Sequence, residues 1–73
     1  MKAAITEEGA SEVEAVLREN PCGTHAEYLR CGRLVQERIE ATRGPTVPEG
    51  CGLFLLTLYL VANDLPLPVP SVH

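Results

Sequence analysis

The sequence predicts an all-α fold of three short helices, about 7–19, 24–43 and 48–63, followed by an extended proline-containing arm over 65–73. Three observations carry this reading. Breakers at Asn20-Pro21-Cys22-Gly23, at Gly44-Pro45-Thr46-Val47-Pro48 and from Pro66 onward divide the 73 residues into three blocks and a tail. Apolar residues in the first two blocks recur at helical spacing. The third block, CGLFLLTLYLVA at 51–62, is long for a strand and has no good second strand to pair with.

In the first block, Thr6 is placed to cap a helix whose opening turn carries Glu7 and Glu8, where the positive helix end favours anions. Ser11 with Glu14 offers a second start. Ala10, Val13, Val16 and Leu17 form a narrow apolar stripe, and Asn20, preceding proline, ends the helix. Such a helix needs docking to persist.

The second block is the best specified. Thr24-His25-Ala26-Glu27 reads as a capping box, in which the hydroxyl and the carboxylate satisfy each other's backbone amides. Tyr28, Gly32, Val35, Ile39 and Thr42 then share one side, with Cys31 beside them. Arg30, Arg33, Glu37 and Glu40 occupy the opposite face, with Arg33 and Glu37 spaced as an ion pair. Leu29 and Leu34 flank the stripe, either as scattered surface leucines or as contacts to further neighbours. Gly44 supplies a left-handed stop and Pro45 blocks continuation.

In the third block, Thr46-Val47-Pro48-Glu49 resembles another helix start, although Gly50 and Gly52 each cost about 1 kcal/mol relative to alanine. The alternative is an α+β fold with 52–62 as an intersubunit strand, since Leu, Phe, Thr, Tyr and Val also suit strands. In the tail, Pro66, Pro68 and Pro70 alternate with Leu65, Leu67 and Val69, which excludes helix and leaves an extended arm. Residues 1–64 thus read as a single small domain and 65–73 as its arm.

One core in so short a chain rarely supplies more than ~3–5 kcal/mol, so association is the expected reinforcement. The net charge of −4, with basic residues interleaved among acids, argues against a nucleic-acid partner. The apolar run falls short of the ~20 residues that span a bilayer, so no membrane partner is expected. With an odd cysteine count, three, and no secretory signal pattern, a cytoplasmic location is expected.

Chemistry is sparse. Cys22, His25, Cys31 and Cys51 are zinc-ligand types, but His25 and Cys31 lie ~9 Å apart along one helix, too far for a common ion. No metal or cofactor is expected. A hairpin of the second and third helices separates Cys51 from Cys31 and from Cys22, so no intramolecular disulfide is expected. Cys22 precedes a helix N-terminus, where amide dipoles lower a thiol pKa; a thiol enzyme or redox switch centred there is a minor alternative. No catalytic residue is assigned.

The functional expectation is a small, acidic, non-enzymatic interaction or regulatory protein that forms a homodimer. A helix over 51–62 would be apolar all round, and two short partners cannot cover it. Its contact surface is assigned to Leu53, Phe54, Leu56, Leu58, Leu60, Leu65 and Leu67, with Tyr28, Val35 and Ile39 packing beneath. The alternative is an accessory or antitoxin-like subunit whose same segment binds a different protein.

Overall fold

A computed structural model describes residues 7–68, with side chains from Gly9 onward, and contains α1 (Glu7–Glu19), α2 (His25–Arg43) and α3 (Cys51–Ala62). Among these residues the fold is all-α, as the sequence predicts, and contains no strand. The strand alternative for 52–62 is overturned: the apolar run satisfies its backbone within one helix. The arm is described only through Pro68, where 65–68 carry no regular structure, and the rest of 65–73 lies outside the described residues.

α1 begins at Glu7 and runs through Ser11, so the second start is unused; Thr6 lies outside the described residues. Val13 and Val16 are buried and Ala10 and Leu17 half-buried, which is the expected stripe. Asn20 closes the helix, its backbone N–H and its side-chain amide both donating to Val16 O at 3.0 Å.

α2 opens with the capping box. Thr24 Oγ1 accepts the Glu27 N–H at 3.1 Å, and Glu27 Oε1 accepts those of Thr24 at 3.1 Å and Gly23 at 2.9 Å. Cys31, Gly32, Val35 and Ile39 are buried, whereas Thr42 faces solvent. The ion pair does not form within α2 between Arg33 and Glu37 but across to α1, from Arg38 Nε to Glu12 at 3.0 Å. Glu12 is the better-held acceptor, since the Thr42 hydroxyl reaches its other oxygen at 3.4 Å. Gly44 ends the helix at φ 94°, ψ 178°, which is glycine territory but not the left-handed helical stop expected.

α3 starts at Cys51 rather than 48, and the Thr46–Glu49 cap is not used. Gly50 takes the N-cap position with φ 85°, so the chain enters the helix through a left-handed residue, a conformation closed to Pro48 and strained for Glu49. The helix closes at Asn63, whose N–H and side-chain amide both reach Tyr59 O, at 3.1 and 2.8 Å. Asp64 then adopts φ 56°, and the Leu65 N–H returns to Leu60 O at 2.8 Å, turning the chain away.

Val13, Val16, Cys31, Val35, Ile39, Leu56 and Leu60 form the core, with Leu17, Tyr28, Leu34, Val47, Leu53 and Tyr59 packed around it. α2 lies centrally and makes its largest contact with α3.

Candidate functional site

α3 carries no charged residue, so position around its axis decides what each side chain does. At about 100° per residue, Gly52, Leu56 and Leu60 share an inner face, and all three are buried. Phe54, Leu58 and Val61 fall on the opposite face, within about 60° of one another. Phe54 is 62% and Val61 52% exposed, and Leu58 is half-buried.

The inner face is held by backbone contact. A Cβ on Gly52 would lie 2.3 Å from Gln36 N and 2.5 Å from Gly32 O, so only glycine lets α3 sit this close to α2. Gly32 is less tightly constrained, since a Cβ there would meet the movable Leu53 Cδ1 at 2.7 Å and Leu53 Cα at 3.1 Å. Gln36 joins the two helices at this crossing. Its Oε1 accepts the Gly52 N–H at 2.6 Å, while its Nε2 donates to Pro48 O at 3.0 Å and to Glu40 Oε2 at 2.9 Å. One amide thereby satisfies an orphan N–H of the first turn of α3 that no capping side chain reaches.

The flanks of α3 are pinned by two tyrosines. Tyr28 OH hydrogen-bonds to Thr57 Oγ1, and that hydroxyl also contacts Leu53 O at 2.8 Å. Tyr59 OH donates to Glu14 Oε2 at 3.2 Å; burial, and then the Glu14 charge, push its phenol pKa up. These bonds fix the rotation of α3 and therefore the direction in which Phe54 points.

The seven residues assigned from sequence separate accordingly. Leu56 and Leu60, 0% and 4% exposed, belong to the chain's own core and are withdrawn from the contact surface. Leu53 packs on Gly32 at the edge. Phe54, Leu58, Leu65 and Leu67 remain outward, the last two 44% and 41% exposed. Val61 was missed; the i, i+7 relation to Phe54 is the signal that finds it once one outward residue is known. Leu29 on α2 is also exposed. The arm bends toward the start of α2, with Pro68 O 3.5 Å from His25 Nδ1.

A cleft of about 740 Å³ opens beside the first turn of α3, floored by Ile39, Val47, Pro48, Cys51 and Leu55. Glu12 at its rim is already engaged by Arg38 and Thr42.

The cysteines are all free thiols. The minor thiol-enzyme reading rested on a helix N-terminus lowering the Cys22 pKa, and the environment acts the other way. Burial, then Cys31 and Glu27, push Cys22 up to about 11, which suppresses thiolate near neutrality. Among the described residues no three His, Cys, Asp or Glu side chains gather as metal ligands. No described helix is long and apolar enough to cross a membrane. No family model matches the chain, and neither the curated proteins nor the solved structures contain a match to it.

Proposed function

We propose that this chain is a non-enzymatic interaction module that pairs with a second copy of itself through the outer face of α3. The observation that carries the reading is that α3 is apolar on both sides while its neighbours cover only one, leaving Phe54 and Val61 more than half exposed. Soluble chains seldom leave such a face to water. Phe54 and Val61 stand out on that face, and Leu65 and Leu67 on the arm add further exposed apolar side chains.

A second copy is the occupant favoured, for two reasons. The face has no charge, so an identical face opposes it without repulsion. Two-fold pairing of like patches is also the commonest assembly, and a chain this small gains most from it.

Light scattering on the purified chain, with reductant and over a dilution series, tests the proposal. A dimer that dissociates on dilution, and is lost in F54E while helical content is retained, supports it. A monomer at all concentrations overturns it and turns the search to a heterologous partner of the accessory-subunit kind.

A further inference from the structure

The turn between α1 and α2 brings the Cys31 thiol back against the peptide that precedes Cys22. Cys31 lies in the second turn of α2 and is fully buried; Cys22 precedes the helix and is half-buried. Cys31 Sγ donates to Pro21 O at 3.4 Å, and that carbonyl belongs to the peptide bonded directly to the Cys22 nitrogen. Each thiol is also among the causes that shift the other's pKa. Spacing along the chain predicts no intramolecular disulfide; the folded turn supplies the one pairing, Cys22 with Cys31, that spacing does not reveal.

We infer that Cys22 and Cys31 form a reversible dithiol–disulfide site, with Cys22 as the entry thiol and Cys31 as the resolving thiol. Unequal access assigns the roles, because a small oxidant reaches Cys22 while Cys31 sits behind it in the core. The oxidant is a low-molecular-weight disulfide. The Cys22 thiolate attacks one of its sulfurs, forming a mixed disulfide and releasing one thiolate, which takes up the proton Cys22 has lost. The Cys31 thiolate then attacks Cys22 Sγ, the intramolecular bond forms, and the second small thiol leaves with the Cys31 proton. Two protein thiols are oxidised by two electrons and one small disulfide is reduced to two thiols.

The environment sets the tempo. Burial leads the causes that raise both thiol pKa values, so exchange is slow at neutral pH. The bond would tie the turn to the buried side of α2, leaving the outer face of α3 untouched. The site is therefore independent of the pairing proposed above.

Oxidised glutathione is the probe. The reduced full-length chain is incubated with it, quenched with N-ethylmaleimide, digested with trypsin and weighed. The expected product joins peptide 19–30 to peptide 31–33 with the loss of two hydrogens, while Cys51 is alkylated. Its rate of formation should rise about tenfold per pH unit between pH 7 and 9, following the thiolate fraction. C31S should halt at a glutathione adduct on Cys22, and helical circular dichroism shows whether that variant is folded. Recovery of both cysteines in alkylated form, or a persistent Cys22 adduct in the unsubstituted chain, would overturn the site.

Discussion

Gln36 Oε1 accepts the backbone N–H of Gly52 at 2.6 Å, and the same amide donates to Pro48 O, so one side chain of α2 anchors both the entry and the first turn of α3. Gln36→Leu keeps the bulk and removes the bonding. It leaves the part-buried Gly52 N–H without this acceptor, at a cost of about 1–3 kcal/mol, while the exposed Pro48 carbonyl turns to water. Urea denaturation of the two chains measures the difference. Gln36→Glu should fall between them, because a carboxylate still accepts from Gly52 but cannot donate to Pro48 and meets Glu40.

Gly52→Ala should destabilise although it raises helix propensity by about 1 kcal/mol. Its Cβ would meet backbone atoms of Gln36 and Gly32, which cannot rotate away, so α3 must lift from α2. A net loss of about 2 kcal/mol or more is expected, typical of overpacking. Gly50→Ala is the comparison: nothing lies within 4 Å of its Cβ, and only the φ of 85° resists. Its thermal midpoint should fall less.

Leu56→Ala and Phe54→Ala should divide fold from assembly. Leu56 is fully buried, and its truncation should cost about 2–5 kcal/mol. Phe54 is mostly exposed, so its truncation should leave the unfolding of the isolated chain within about 0.5 kcal/mol. Under the proposed pairing it should weaken the dimer at least tenfold. Chemical denaturation and sedimentation, run on both variants, separate the two effects.

Stability should decline in alkali through Cys22. Its folded pKa is raised to about 11 from an ordinary 9.0, so between those values the unfolded chain has lost the proton that the folded chain keeps. The folded state binds more protons there, and the stability it holds below pH 9 diminishes as pH rises toward 11. Cys22→Ser removes this contribution. Urea midpoints at pH 8 and pH 10 should therefore converge more in that variant than in the parent.

Where the sequence was readable, the reason is local chemistry. The Thr24–Glu27 box is complete within four residues, and α2 begins where it says. The α1 stripe is equally local, and Val13 and Val16 face inward. The errors have physical causes of their own. Thr46-Val47-Pro48-Glu49 has the composition of a cap, yet a left-handed Gly50 overrides it. An all-apolar helix has no polar side from which to tell inward from outward, so Leu56 and Leu60 were grouped with Phe54. Gln36 is a polar residue beside a polar face, and nothing in its neighbours along the chain marks it as an interhelical clamp. The approach of Cys31 Sγ to the carbonyl just before Cys22 depends on the path of a turn, which spacing alone does not specify.

The close seat of Gly52 on α2 carries a consequence for how such a protein changes over generations. Because main-chain atoms set the spacing of the two helices, the residues at 54, 58 and 61 contribute little to holding α3 in place. They form a vocabulary that can be rewritten while the grammar beneath is kept. If the pairing proposed above holds, a lineage could exchange one partner for another by altering those few letters, with the scaffold inherited intact.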